Sequence, residues 1–394
     1  MTDFDVIVVG GGPAGSIAAY EAAKAGLKTI LLEKDRDIGY PVRCAEAVGE
    51  DGLKKFMDTD PQWVAATIKY ARLISPNDTS LRLPLPIENG LILHRRLFDF
   101  ALAQRAAMAG AEVQTKAYVD GLIISDGQVG GVNYQYFGER RSLSAKIVIG
   151  ADGVESRVGR MAGLRTALKL SDTGSGYQVS VANVDVEQDV IEFYFGQNRA
   201  PSGYLWIFPK GEGMANIGLG VVGKGVRDVI AKDLLDKFLT DRFPKAAVLT
   251  AVAGGIPLAK TLKKISTNGL MLIGDAARMA NPVSGGGIIS GMIAGRIAGQ
   301  VAAEAIGAGD VSEQGLKEFP ARWHKEVGRT YDIAHRISNS IREITDEQFD
   351  KMAWELKALP PEKLNLRRVF TTAAKHKPKI LLDVTRAFAG LIMQ

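Results

Sequence analysis

The chain has 394 residues, 46% hydrophobic and 24% charged, which is enough for two or three globular domains with a sizeable core. Its single cysteine, Cys44, excludes an internal disulfide; one cysteine with four histidines makes no zinc pattern, so no metal is expected and a reducing, cytoplasmic setting fits. Net charge is +5, concentrated at the end: from Lys363 onward Lys363, Arg367, Arg368, Lys375, Lys377, Lys379 and Arg386 face one acid, Asp383.

That basic, partly amphipathic tail suits either peripheral contact with an anionic lipid surface at the inner face of the cell membrane or a plain solvated face. No nucleic-acid-binding signature accompanies it, so nucleic acid is set aside as a partner. The opening MTDFDVIVVGGG enters a strand at once and shows no secretory signal. The small-residue run from Gly285 to Gly309 is broken by Arg296, Gln300 and Glu304 and is not a membrane span.

In chain order, the apolar run Val6 to Val9 predicts a buried parallel strand, followed by Gly10-x-Gly12-x-x-Gly15, an alanine-rich helix, and a second strand from Thr29 to Leu32 that ends in Glu33. Each residue type has a task. Gly10 makes the tight turn, Gly12 lets backbone N–H groups approach a pyrophosphate, Gly15 lets helix and strand pack closely, and Glu33 accepts hydrogen bonds from an adenosine ribose. Leu93 to Val113 reads as a helix leading to a strand, and Ser144 to Gly163 as buried strand, turn and helix.

From Gly174 to Ala253 the pattern shifts to β-branched and aromatic strands with one helix, Val226 to Thr240, the mark of a second, mostly antiparallel layer. Within it, Tyr204, Trp206 and Phe208 alternate along a half-buried strand that Pro209 ends. They form either a core face of the second sheet or the wall of an apolar channel. Gly218, Gly220 and Gly223 repeat the GxGxxG spacing without the strand and acid that should follow, and are read as clearance beneath the aromatic wall. Gly269 to Gln300 returns to strand, loop and helix, and only helices are expected from Asp310 onward.

Four separated stretches, the dinucleotide fingerprint, LHRRLFDFAL, GADGVESRVGR and GDAARMANPVSGGGI, together resemble FAD-dependent enzymes of the p-hydroxybenzoate hydroxylase superfamily. Within it, PVRCAEAV and PSGYLWIFPKGEGMANIGLG resemble the geranylgeranyl reductase family, especially its archaeal digeranylgeranylglycerophospholipid reductases. The resemblance spans roughly residues 1 to 310. It implies an α/β protein, α+β overall: a Rossmann-type FAD domain (1–70, 90–165 and 260–309), a mostly antiparallel substrate sheet (71–89 and 166–259) and a helical region (310–394).

The resemblance implies FAD contacts at Gly10, Gly12, Ala14, Gly15, Glu33, Arg43, Cys44, Ala45, Ala47, Arg95, Val119, Asp152, Asp275, Gly287 and Ile288. Read from the residues alone, Asp275 accepts ribityl hydroxyls or caps a loop, and Asp152 contacts flavin or caps the helix that follows. The Gly285 to Gly287 run opens a helix whose N–H groups suit the anionic edge of a reduced isoalloxazine, or is a simple turn. Cys44 is a thiol tuned by Arg43 and Glu46 or an inert small hydrophobe. Here Ala45 and Ala47 stand where the family usually has glycine, so their methyls alter the local pocket.

The chemistry expected is reduction of prenyl alkenes, with Cys44, Tyr204 or an ordered water as proton donor and Tyr204, Trp206, Phe208 and Pro209 along the substrate. Aromatic faces stabilise the cationic character that develops at a tertiary carbon and exclude water. Ferredoxin, NAD(P)H or a deazaflavin would serve as electron donor. The competing readings are an aromatic-ring monooxygenase, a reductase of geranylgeranyl diphosphate or prenyl quinones, and a flavin-binding carrier without turnover.

Overall fold

The computed structural model describes residues 2–85, 89–223 and 230–377. Val226, Lys379, Asp383 and Arg386 lie outside the described residues. The chain divides into two compact units, residues 1–42, 95–168 and 259–331, and residues 43–94, 169–258 and 332–394.

In the first unit the apolar strand Phe4–Val9 is buried because it has a parallel neighbour on each side, Thr29–Leu32 (Val6 beside Thr29) and Glu139–Gly150 (Val6 beside Ile147). Leu270–Leu272 and Glu112–Gln114 extend the parallel sheet at either side. Parallel neighbours need a crossover, and Pro13–Lys24 supplies it, with Pro13 pre-set for the first helical turn. The same unit carries an antiparallel meander, Ala117–Ser125 and Gln128–Tyr136 against Glu139–Gly150.

The helix Ile288–Gly307 lies against Pro13–Lys24 through small residues. A Cβ on Gly295 would stand 2.2 Å from the Ala14 carbonyl oxygen, and one on Gly299 would stand 2.6 Å from Glu21 Cβ. Glycines at these steps therefore let the two helix backbones approach to a distance no side chain permits.

The second unit is built on a seven-stranded sheet in the order Ala247–Pro257, Thr173–Ala182, Met214–Val222, Tyr204–Pro209, Val190–Tyr194, Tyr70–Ile74 and Ser80–Pro84, antiparallel except where Val190–Tyr194 runs parallel to Tyr70–Ile74. One face buries Leu205, Ile207 and Leu219 beneath Leu235 and Leu239 of the helix Ala231–Arg242. The other packs Trp206 and Phe208 on Ile68 and Ile92, which belong to a small sheet of Ala47–Gly49, Gly90–Leu93 and Val64–Ile68.

The Tyr204–Pro209 strand is thus buried on both faces rather than half-buried, because Leu205 and Ile207, between the rings, are apolar too. Residues 43–70 group with the second unit, not the first as the sequence suggested, since Ala47–Gly49 and Val64–Ile68 pair with Gly90–Leu93. The C-terminal residues form no third region: 310–331 join the first unit and 332–377 the second. Among the described residues no helix is long and apolar enough to cross a membrane.

Candidate active site

In the first unit the glycine fingerprint folds as its spacing demands. Gly10 has φ +107, and a Cβ there would lie 2.4 Å from the Ala151 carbonyl oxygen; a Cβ on Gly15 would lie 1.9 Å from the Gly10 oxygen. Gly12 differs: a Cβ there would meet nothing within 4 Å, so open space borders the backbone where the helix begins. Gly12 is the N-cap, no side chain caps the helix and its first turn has no acid, leaving the N–H groups around Ala14 and Gly15 facing an anion position. Gly15→Ala is expected to abolish flavin retention on purification, a weakening of at least about tenfold; a yellow, fully loaded variant would contradict this.

Glu33 follows the second strand and accepts the Gly11 N–H at 2.7 Å and the Asp35 N–H at 2.9 Å, each on a separate carboxylate oxygen. Burial raises its pKa against the pull of those N–H groups. Beside it, the Ala117 N–H donates to the Glu33 carbonyl, which sets the strand bearing Val119 against the same corner. Asp152 Oδ2 accepts the Val158 N–H at 2.9 Å and steadies the following helix, while the buried Oδ1 has no hydrogen-bond partner.

A second anion position opens at Ile288–Gly307. Gly287 is its N-cap, again with no side-chain cap and no acid in the first turn, and a Cβ on Gly287 would sit 3.1 Å from Asp275 Oδ1. Burial pushes the Asp275 carboxyl up to about 6, partly offset by the positive charge of Arg95. Arg95 is held by Asp99, one turn on, through Nε and Nη2 at 2.6 and 2.7 Å. Sequence reasoning missed Tyr331, whose phenol meets the Asn281 and Ser290 side chains near Asp275, and which burial first and Asp275 last keep protonated.

These features fit FAD. Open backbone beside Gly12, a carboxylate at Glu33, an unpartnered carboxylate oxygen at Asp152 and a half-buried carboxyl at Asp275 beside a bare helix N-terminus supply the anion-binding and hydroxyl-accepting groups such a dinucleotide needs.

The second unit brings together Cys44, Ala45, Ala47, Tyr204, Trp206 and Phe208, whereas Pro209 has the strand alternation of Leu205 and Ile207 on the other face. The methyls of Ala45 and Ala47 join the cluster of Trp206, Phe208, Ile68 and Ile92. Phe193, which the sequence did not single out, meets Tyr204 and Phe208 edge-on at 5.4 and 5.6 Å between ring centroids. Gly218 leaves room for the indole: a Cβ there would lie 2.5 Å from Trp206 Cζ2. The second glycine run is therefore clearance within a paired strand, Gly218 and Gly220 lying inside Met214–Val222.

Polar groups edge this apolar face, and all of them have partners. Trp206 Nε1 donates to Gln178 Oε1 at 3.0 Å, and Gln178 Nε2 donates to the Cys44 carbonyl at 2.9 Å. The buried Glu46 carboxylate accepts Lys210 Nζ at 2.7 Å and Asn216 Nδ2 at 2.5 Å, and Lys210 also donates to the Leu93 carbonyl. Glu46 holds a left-handed backbone, φ +73, and its N–H donates to Cys44 Sγ at 3.2 Å. Glu46 thus reaches the thiol through its backbone N–H. Burial, and then the neighbouring Cys44, push the Tyr204 phenol up to about 12. Arg43 is exposed and runs beside Gly254.

On the opposite face of the seven-stranded sheet, a cavity of about 530 Å³ is lined by Arg72, Glu192, Tyr194, Arg199, Lys237 and Arg242 among others. Glu192 accepts both Arg72 Nη1 and the Tyr194 hydroxyl at 2.6 Å. Its charged lining is a poor match for a prenyl chain.

The FAD dependent oxidoreductase family matches residues 5–204, and the geranylgeranyl reductase catalytic domain matches residues 172–256. The digeranylgeranylglycerophospholipid reductase of Methanosarcina acetivorans is 44% identical over 391 residues, covering 98% of this chain and 96% of that one. The crystal structure of a geranylgeranyl bacteriochlorophyll reductase-like protein from Thermoplasma acidophilum superposes with a TM-score of 0.91 at 35% identity, covering 98% of this chain and 99% of the other. A flavin-dependent brominase shares the fold, with a TM-score of 0.73 at 16% identity, over 99% of this chain and 100% of its own. Architecture is common to several flavin chemistries, whereas full-length identity is not. The chain belongs to the digeranylgeranylglycerophospholipid reductase family and is a FAD-dependent oxidoreductase.

Proposed function

We propose that this protein saturates the C=C bonds of geranylgeranyl chains carried by an archaeal-type membrane glycerophospholipid. Beyond kinship, the observation that carries the reading is the aromatic cluster of Tyr204, Trp206, Phe208 and Phe193, in which the indole N–H is held by Gln178. Trp206 and Phe208 are packed within this cluster, so Tyr204 and Phe193 are the rings with surface left to meet an apolar chain. The monooxygenase reading loses ground to the full-length kinship.

Bound and reduced, FAD supplies the hydride. The residues of this chain do the rest. Tyr204 is half-buried, as Phe193 is, burial holds its phenol protonated far above neutral pH, and Cys44 is its neighbour. This pair holds the proton that goes to the alkene carbon next to the one receiving hydride. The Trp206 indole, its N–H bound by Gln178 and its ring packed against Tyr204 and Phe208, backs the rings that would face the developing tertiary cation. Gly10, Gly12, Gly15, Glu33, Asp152, Asp275 and the Gly287–Ile288 turn hold the cofactor, with Arg43, Cys44, Ala45 and Ala47 assigned to it by family resemblance.

The decisive experiment is anaerobic reduction of the purified protein with dithionite, addition of a digeranylgeranyl phospholipid, and mass spectrometry. A gain of two hydrogens per double bond is expected; no gain on this lipid, with gain on geranylgeranyl diphosphate, would move the substrate to the soluble precursor. In the same assay Trp206→Phe should keep most turnover, whereas Trp206→Leu should lose on the order of tenfold through lost cation stabilisation. Equal rates for both variants would remove Trp206 from the chemistry.

A further inference from the structure

The first unit exposes a belt of aromatic and aliphatic side chains that nothing in the flavin site uses. Phe137 is 69% exposed, Phe100 60%, Tyr40 53% and Leu97 51%. Leu97 and Phe100 stand on the outer side of the helix Arg95–Met108, whose inner side buries Phe98, Leu102 and Ala106. Phe137 occupies the tip of the hairpin between Gln128–Tyr136 and Glu139–Gly150.

The tip is the informative place. Tyr136 pairs with Glu139, leaving a two-residue turn in which Phe137 has φ +49 and Gly138 φ +85. A turn with both central residues left-handed favours asparagine or aspartate before glycine, and a bulky aromatic is out of place there. The fold gains no core from the ring, which points outward with Tyr136 edge-on at 4.8 Å between centroids. A strained, exposed aromatic held where a small polar residue would serve better is explained by something outside the chain.

Cations thread this belt into one surface. Lys116 Nζ lies 4.7 Å from the Phe137 ring centroid, and the Arg96 guanidinium lies 5.5 Å from that of Tyr40. Asp37 links the two, 3.8 Å from Arg96 and within the electrostatic reach of Lys116. Arg141 covers Tyr136 at 4.7 Å, and Arg36 and Arg140 are 70% and 73% exposed. These five cations outnumber Asp37, Asp120 and Glu139. Aromatic tips interleaved with cations match the boundary between anionic headgroups and acyl chains.

We infer that this belt, from the Phe137 hairpin tip through Lys116 and Arg96 to Tyr40 and Phe100, is the surface by which the protein docks on an anionic phospholipid bilayer. The inference rests on the prenyl-phospholipid reading only for why an enzyme should visit a membrane; docking itself is measured without turnover. It places the contact on the first unit, whereas the sequence pointed to the basic tail.

The test is cosedimentation of the FAD-loaded full chain with vesicles of phosphatidylglycerol and phosphatidylcholine in equal parts, or of phosphatidylcholine alone. The wild-type chain should pellet with the mixed vesicles and be released by high salt. Phe137→Asn combined with Phe100→Ser should pellet at least tenfold less, while reducing detergent-dispersed substrate at the wild-type rate. Asparagine suits the turn, so a melting temperature at or above wild type for Phe137→Asn alone shows that folding is intact.

Wild-type failure to pellet with mixed vesicles overturns the inference, as does undiminished pelleting by the double variant. Loss of pelleting on Lys375→Gln, Lys377→Gln and Lys379→Gln together, with the belt variant unaffected, assigns the contact to the tail and overturns it too. If the wild-type chain dimerises without vesicles and the belt variant does not, the belt is an interface between copies. Failure to reduce prenyl lipid in any medium, with normal pelleting, would sink the substrate reading and leave the docking surface standing.

Discussion

Replacing Lys210 by methionine is expected to cost about 3–5 kcal/mol of unfolding free energy, the largest single effect foreseen for a side chain outside the flavin site. The substitution takes the cation away from the Glu46 carboxylate, which is 5% exposed and also accepts from the Asn216 amide. Removing both charges in Glu46→Gln with Lys210→Met should recover most of the loss, since the penalty comes from stranding one ion and not from losing the pair. Denaturant unfolding of the three proteins checks this; a single variant within about 1 kcal/mol of wild type would show that the pair is solvated.

Two further readouts separate this from general destabilisation. Because the Glu46 N–H donates to Cys44 Sγ, loosening Glu46 should change the rate at which a thiol reagent modifies Cys44 in the folded chain. His94, held below its ordinary pKa by burial first and Lys210 second, should titrate higher once that cation is gone. The left-handed backbone of Glu46 explains the sensitivity: a strained residue persists only where its surroundings over-determine it.

Asp275→Asn should act in opposite directions on the apoprotein and on cofactor binding. The folded carboxyl titrates at about 6 instead of 3.8, so it favours folding fully only below 3.8 and loses that contribution as pH rises through 6. At pH 8 the buried carboxylate therefore costs the apoprotein up to about 3 kcal/mol, which asparagine removes. Apoprotein melting should rise in the variant at pH 8, and the gain should fade as pH falls from 6 towards 4. FAD affinity should drop by tenfold or more, because a carboxylate accepting hydroxyl protons contributes about 1.5–3 kcal/mol. Unchanged FAD binding, or a melting gain equal at both pH values, would mean that Asp275 neither faces the cofactor nor is buried as charge.

The dinucleotide fingerprint was legible because its parts are local. Gly10, Gly12, Gly15 and Glu33 belong to one strand, helix, strand passage, and each glycine performs the steric task that its spacing implied. The polar edge of the aromatic face was not legible, since Lys210 and Asn216 reach Glu46 across 164 and 170 residues and Gln178 reaches Cys44 across 134. Ring alternation at Tyr204, Trp206 and Phe208 suggested one-sided burial; the apolar Leu205 and Ile207 between them were the better signal, because a continuous apolar run marks two-sided burial. Residues 43–70 misled for a related reason. Their strands pair with Gly90–Leu93, and no local pattern announces a partner that distant.

The glycine contacts between Pro13–Lys24 and Ile288–Gly307 also carry a consequence for ligand binding. Gly295 and Gly299 lock the two helices in axial register, and each helix presents a bare N-terminus, one at Gly12 and one at Gly287. The spacing between the two positive poles is then set by interlocked backbone and not by adjustable side chains. A ligand that spanned both ends would meet a separation fixed by backbone packing, and the two helices would not need to shift against each other to receive it.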